Sequence, residues 1–352
     1  MKKWGTLITL SLAMFIIVID TTIMNVSISA LVEDLDTTVS GVQAAISIYA
    51  LVMAAFILIG GKLADIFGPK SVFITGLLIY STGTIIASFS TSLTILILGW
   101  SILEGLGSAL MIPNIQVLLR QAYEGEARAF AYGMVSAVAA VGAAVGPIVG
   151  GFFTTFVSWR WAFRSEVAIA IVVLILSSYL AKDVLAGKRP KFDYLGGLLS
   201  IFGWSSIVLG ILISQKYGLF LAKEPFVIGS YEIAPLGLSI TTILVGLGIL
   251  LILLFFRWEH HLETEGGDGL FRPSILELSG LKPGISVRFL HVGIMAGFLY
   301  LIPLMLQLSF EYTAMRTGLA MMPYSISLLI MAIIGARLSS RFLREPPDPD
   351  RL

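Results

Sequence analysis

The sequence predicts an all-α, polytopic membrane protein with ten transmembrane helices. Three observations carry that reading. Of its 352 residues, 57% are hydrophobic and 13% charged, and the mean hydropathy is +0.93. A water-soluble domain carries about 25% charged residues, so this chain has too little polar surface to cover a globule of its size. Its apolar residues fall in long continuous runs, and each run meets the requirement of about 20 residues for a helix across a bilayer core. Finally, Lys and Arg alternate in density from one connecting segment to the next, as the preference of basic loops for the cytoplasm demands.

The runs lie near residues 5–31, 40–64, 71–90, 93–118, 127–155, 162–181, 195–215, 232–256, 287–309 and 314–343. Barrel strands would be about half as long and would alternate polar and apolar residues. The first run follows Met1-Lys2-Lys3, as a signal peptide would. It is too long for one and contains Asp20, so it reads as a retained helix. With the N-terminus inside, every Lys and Arg falls on inner segments except Arg160, Arg164, Lys216, Lys223 and Arg316. Both termini are expected in the cytoplasm and the chain in the cell membrane, embedded in the lipid bilayer. Residues 182–194 and 257–286 are long, polar, inner segments and form the expected domain boundaries. The tail 344–352 (Arg-Glu-Pro-Pro-Asp-Pro-Asp-Arg-Leu) has the composition of a disordered end.

Composition also excludes functions. The absence of cysteine rules out a disulfide framework, thiolate catalysis and cysteine-ligated zinc. A net charge of +1 gives no basic field for nucleic acid. Walker, dinucleotide and nucleophile-elbow motifs are missing, so neither ATP-driven transport nor enzymatic catalysis is expected. His260 and His261 stand side by side without HExxH spacing, and adjacent residues do not share a helix face. No metal site and no cofactor are expected.

Three carboxylates fall inside spans, where a charge costs about 2.5–3.5 kcal/mol on insertion scales. Such groups are functional candidates, with proton relays a leading role. Asp20 lies mid-span in Ile19-Asp20-Thr21-Thr22-Ile23-Met24-Asn25. Burial raises a carboxyl pKa, so an acid here suits proton uptake and release; the plainer alternative is an aspartate satisfied by neighbouring Thr and Asn groups. Glu104 sits among small residues in Leu103-Glu104-Gly105-Leu106-Gly107. It either lines a substrate cavity or bonds a neighbouring helix. Glu166 follows Trp159-Arg160-Trp161-Ala162-Phe163-Arg164 and reads as an interfacial ion pair or a cavity group. Helix five carries Gly142, Gly146, Pro147, Gly150 and Gly151; glycines four apart give a flat face for close packing, and the proline removes a backbone donor. Gly60-Gly61-Lys62-Leu63 ending helix two and Gly335-Ala336-Arg337-Leu338 ending helix ten share offsets, consistent with an internal repeat.

Together these residues resemble the major facilitator superfamily, most closely its fourteen-helix drug:proton antiporter family of the multidrug efflux type. Asp20-Thr21-Thr22-Ile23-Met24-Asn25-Val26 is similar to that family's first-helix motif, Asp-x-Thr-x-x-Asn-Val, with Ser27 and Ser29 standing where Ala and Pro are usual. Gly61-Lys62-Leu63-Ala64-Asp65-Ile66-Phe67-Gly68-Pro69-Lys70 resembles the loop 2–3 signature, with Ile66 and Pro69 where arginines are common. Gly142 to Gly151 resembles the antiporter motif of helix five, and Trp159-Arg160-Trp161-x-Phe163 the start of helix six. The family's helix four usually carries an arginine three residues before a Gln-Gly pair; here Ser101 precedes Glu104-Gly105.

The resemblance implies a six-helix N-terminal bundle over 1–181, a linker at 182–194, two extra helices over 195–256, a cytoplasmic loop at 257–286 and the first two helices of an incomplete, C-terminally truncated bundle over 287–343. It implies secondary active transport: proton-coupled efflux, by antiport, of a small amphipathic compound or drug, with the proton gradient as energy source. Asp20 is then the proton-coupling acid, and Asn25, Glu104 and Glu166 line the substrate cavity. Gly61, Asp65, Gly68 and Lys70 form a conformational latch, and Gly142 to Gly151 pack the bundle interface. Two alternatives accompany it: a truncated product or membrane subunit that does not transport alone, needing a second chain to complete the C-terminal bundle, and a metabolite facilitator or symporter on the same fold.

Overall fold

A computed structural model describes residues 2–183, 190–228, 231–233, 237–278, 280–328, 330, 331 and 334. Linker residues 184–189, the Gly335–Phe342 half of the repeat and the tail 344–352 lie outside the described residues. Among the described residues the chain is helical apart from one small hairpin. Among the described residues nine helices are long and apolar enough to cross a membrane, and they overlap the first nine runs read from the sequence.

The helix boundaries follow from local chemistry. α1 (Lys2–Ile23) gives way to a 3₁₀ turn at Met24–Val26 before α2 (Ile28–Asp34), so the first run is broken where the sequence reads it as continuous. Thr21 and Thr22 Oγ1 donate back to Val18 O at 2.8 Å and Ile19 O at 2.9 Å just before the break. Such back-bonding favours bends. α3 (Val39–Phe67) starts at Thr38, whose hydroxyl accepts from Gly41 N, and stops at Gly68, whose φ of +96° suits glycine. α4 (Pro69–Ser88) opens with proline at its first turn, where the missing N–H has no helical partner to lose.

The fourth span changes hand-hold twice: α5 (Leu93–Leu96) leads into a π-helical stretch, Ile97–Glu104, and then α6 (Gly105–Ala122). α7 (Gly125–Phe156) runs unbroken through Pro147, and α8 (Arg160–Leu176) follows. α9 (Tyr194–Tyr217) is capped by Asp193 and α10 (Ile240–Thr264) by Ser239. The sequence places the eighth span from 232; the structure has β1 (Phe226–Ile228) and β2 (Tyr231–Ile233) paired antiparallel there, and the helix begins at Ile240. The last two turns of α10 carry Arg257, Glu259, His260, His261 and Glu263 and extend past the apolar run into the polar segment. α11 (Leu281–Leu308) starts six residues earlier than its apolar run, and α12 (Ala314–Ala320) is followed by helix over 322–328.

By contacts the chain divides into two compact units. One comprises Met1–Leu31, Leu119–Leu180 and Phe298–Leu352, and the other Val32–Leu118 and Ala181–Gly297. In the first, α1 packs on α7 and α8, and α12 packs on α7. In the second, α4 packs on the π stretch, α3 packs on that stretch and on α9, and α9 packs on α10.

Candidate functional site

In the first unit, Asp20 on α1 and Glu166 on α8 are both 1% exposed, and a carboxylate oxygen of each lies within 4.8 Å of the other. The sequence treats Glu166 as an interfacial or cavity group; the structure sets it inside the helix packing, beside the motif aspartate. Thr22 Oγ1 donates to Ile19 O, and Asn25 Nδ2 donates to Thr21 O at 2.9 Å. The polar residues of the first-helix motif therefore spend these hydrogen bonds on their own backbone, stabilising the helix end immediately beyond Asp20.

The glycines of α7 explain how α1 comes so close. A Cβ on Gly142 would lie 3.3 Å from Phe15 O, one on Gly146 would fall on Thr22 Oγ1, and one on Gly150 would sit 2.9 Å from Ile23 O. These three positions share the α1-facing side of α7, four residues apart. Gly151 faces α12 instead, with Ala314 O 2.6 Å from its Cβ position; from the other side, Gly318 meets Pro147 O. Gly142, Gly146, Pro147, Gly150 and Gly151 are all buried. The motif thus packs two helices against α7, and small residues let backbones approach where any side chain would hold them apart.

The two residues that depart from the usual first-helix motif are both hydrogen-bonded across helices. Ser27 Oγ pairs with Thr154 Oγ1 at 2.7 Å. Ser29 Oγ donates to Gln307 Oε1 at 2.7 Å, and Gln307 Nε2 donates to Val26 O at 2.9 Å. Gln307 therefore satisfies a backbone carbonyl that the 3₁₀ turn leaves without its α-helical donor. The sequence reading passes over Gln307; the available signal was a lone amide inside an otherwise apolar run.

In the second unit, Glu104 ends the π stretch with 0% exposure. π segments are rare and concentrate at functional positions. Ser101, where the resemblance leads one to look for arginine, is buried and donates to Ala45 O at 2.7 Å. Trp100 stacks on Tyr49 with ring centroids 5.8 Å apart, and Tyr49 Oη bonds Ser108 Oγ at 3.0 Å.

The loop 2–3 residues are also in this unit. Asp65 is exposed and Gly61 half-buried, while Lys62 donates from Nζ to Gly269 O at 2.9 Å. The carboxylate that grips the loop is Asp183: it accepts from Lys70 N at 2.9 Å, Ser71 N at 2.9 Å and Ser71 Oγ at 2.6 Å. It thereby satisfies orphan N–H groups at the start of α4, where negative charge is favoured. A Cβ on Gly68 would overlap this carboxylate. Sequence reasoning assigns Asp183 only to the linker.

Comparison with known proteins places this geometry. The family signature of the Major Facilitator Superfamily matches residues 10–347. A Streptomyces coelicolor protein named "Probable actinorhodin transporter" is 29% identical over 98% of this chain and 57% of its own length. The cephamycin export protein CmcT of Amycolatopsis lactamdurans is 30% identical over 94% of this chain and 64% of its own length. The chain thus spans about three-fifths of the length of these relatives. Among solved structures, that of the peptide transporter POT in complex with sulfate superposes with a TM-score of 0.59 at 16% identity, covering 97% of this chain and 70% of that one, which shows a shared fold.

Proposed function

The chain belongs to the major facilitator superfamily, and on that premise we propose that it is a secondary transporter that exports small amphipathic compounds in exchange for protons. The buried Asp20–Glu166 pair supports this reading most strongly. Two buried carboxyl groups this close, held among helices that span a membrane, are the kind of intramembrane acids that serve proton relays. An acid that holds and releases one proton is the coupling element an antiporter needs. Asp20 is the proton-coupling group in this proposal, and Asn25, Glu104 and Glu166 belong to the substrate path.

The energy is adequate for the task. A proton moving inward gains about 2.3 kcal/mol per 100 mV, besides its pH-gradient contribution. The Gly151 face of α7, which meets α12, is the surface on which the two halves of such a transporter slide as they rock about a central site. The proposed division is a six-helix bundle over 1–181, two further helices over 195–256 and the opening of a C-terminal bundle over 287–343, as in fourteen-helix antiporters. The loop 2–3 residues Gly61, Asp65, Gly68 and Lys70 act as the latch, both termini face the cytoplasm, and the membrane is the plasma membrane. The relatives' printed substrates, actinorhodin and cephamycin, supply the first compounds to try.

A second reading is favoured by one observation: the first half of α11 is exposed on all sides, with Val287, Phe289, Leu290 and Ile294 all uncovered. In that reading transport requires further helices, from a second chain or a longer product, packed against α11.

The test is transport in proteoliposomes under an imposed pH gradient, with cephamycin or actinorhodin as substrate. The proposal expects gradient-driven movement that is abolished in Asp20→Asn. Unchanged counterflow in that variant rejects the role of Asp20. Transport that appears only when a C-terminal bundle is supplied selects the second reading.

A further inference from the structure

The α9–α10 pair carries a groove for which the transport reading has no use. It has a volume of about 360 Å³ and is lined by Leu195 and Leu199 of α9 and by Leu254, Arg257, Trp258 and His261 of α10. Pockets for small ligands begin at about 300 Å³. Spacing explains the lining. Residues four apart on α9, and three, four and seven apart on α10, fall on one face of each helix.

The groove has a direction. The start of α9 lies beside the end of α10, where Trp258 Nε1 donates to Asp193. Leucines line the part that runs into the apolar spans, and Arg257, Trp258 and His261 line the part that leaves them. Arg257 is the first charged residue after the uninterrupted apolar run of α10, so the cation stands where the hydrocarbon span ends. The neighbouring Leu198, Phe202, Leu250 and Leu253 are exposed and belong to the same two apolar runs. The groove therefore opens toward lipid chains.

The partners at the polar end decide which group is left to bind charge. Trp258 Nε1 donates to both oxygens of Asp193, at 3.0 and 3.1 Å, which holds the indole as a wall of the groove. His261 Nε2 lies 3.4 Å from Glu265 Oε1. The nearby acids face protein donors: Asp193 also accepts from Gly196 N at 3.0 Å, and Glu259 accepts from Leu270 N and Phe271 N, each at 3.1 Å. Arg257 is exposed and has no carboxylate partner among the described residues. A guanidinium offers paired donors that match two oxygens of a phosphate.

We propose that this groove binds one anionic phospholipid, with its phosphate on Arg257 and an acyl chain along Leu195, Leu199 and Leu254. Charge and apolar surface follow one another here in the order in which a phospholipid carries them, and basic pockets between membrane helices bind such headgroups. On the topology proposed above, the lipid belongs to the inner leaflet. Its binding does not depend on which compound is exported.

The test uses the purified full chain in detergent, with bound molecules counted by native mass spectrometry. The chain is titrated with phosphatidylglycerol, with phosphatidylcholine of the same acyl chains, and with glycerol phosphate. The expected result is one phosphatidylglycerol retained at concentrations where neither of the others is. Arg257→Gln weakens that affinity about tenfold or more, as loss of a hydrogen bond to a charged group does. Arg288→Gln makes the same charge change at an exposed position outside the groove and leaves the affinity unchanged. Leu254→Trp fills the apolar floor at constant charge and weakens binding as well. Thermal unfolding without added lipid confirms that each variant is folded. Equal retention of the two lipids, equal losses in Arg257→Gln and Arg288→Gln, or undiminished binding by Leu254→Trp overturns the proposal. Glycerol phosphate retained as firmly as the lipid overturns it too, by assigning the site to a free phosphate.

Discussion

Two helix contacts in this protein are built from glycine yet differ in what meets the glycine. Where α7 packs on α1, the Cβ position of Gly146 is occupied by the hydroxyl of Thr22, the end of a side chain. Where α6 packs on α4, the Cβ position of Gly107 lies 2.6 Å from Tyr80 N and 2.7 Å from Gly76 O, both backbone. A side chain can rotate away, whereas a helix backbone cannot without moving the helix. At Gly146 the first contact tolerates adjustment, although Gly150 on the same face of α7 meets backbone at Ile23 O, and at Gly107 the second is locked. The adjustable position is the one beside Asp20.

Four substitutions sharpen that contrast, each read as a shift in thermal unfolding of the purified protein in detergent. Gly107→Ala has the largest effect, destabilising by about 3 kcal/mol, the upper end of overpacking costs, because nothing at α4 can yield. Gln307→Ala follows at about 1–2 kcal/mol, since Val26 O and Ser29 lose their buried partner. Gly146→Ala costs about 1 kcal/mol, and adding Thr22→Ala, which removes the hydroxyl but leaves the β-carbon 2.8 Å away, recovers part of it; a double-mutant cycle with no coupling would show that the Thr22 hydroxyl is not what the methyl meets. Gly133→Ala, at an exposed position of α7 with open space around its Cβ, stabilises by about 0.5–1 kcal/mol through helix propensity alone. If Gly107→Ala and Gly146→Ala cost the same, the distinction between locked and adjustable contacts fails.

Much of this architecture was legible in the sequence because the bilayer's length requirement acts on whole segments. The first nine runs overlap nine helices of the described residues for that reason. The glycines of α7 were legible as a spacing, and the structure adds which helix each one faces: Gly142, Gly146 and Gly150 toward α1, Gly151 toward α12. Boundaries set by tertiary hydrogen bonds were not legible. The break after Ile23 depends on Gln307, 281 residues from Val26 along the chain. Strand Tyr231–Ile233 stands where a helical start was expected because its backbone pairs with Phe226–Ile228. Glu166 could be placed by sequence at a helix end but not beside Asp20, since that proximity arises from how α1 and α8 pack. Asp183 looked like an ordinary linker acid, and only its folded partners at the start of α4 distinguish it.

Asp20 as a titrating acid is the claim on which the transport reading stands, and it can be tested without knowing the substrate. An apolar carbodiimide reacts with protonated carboxyl groups in a membrane interior, and the modified residue can be mapped by mass spectrometry of the purified chain. The account predicts modification of Asp20 that falls as pH rises. An Asp20 that stays unmodified throughout, or reacts to the same extent at every pH, would contradict it.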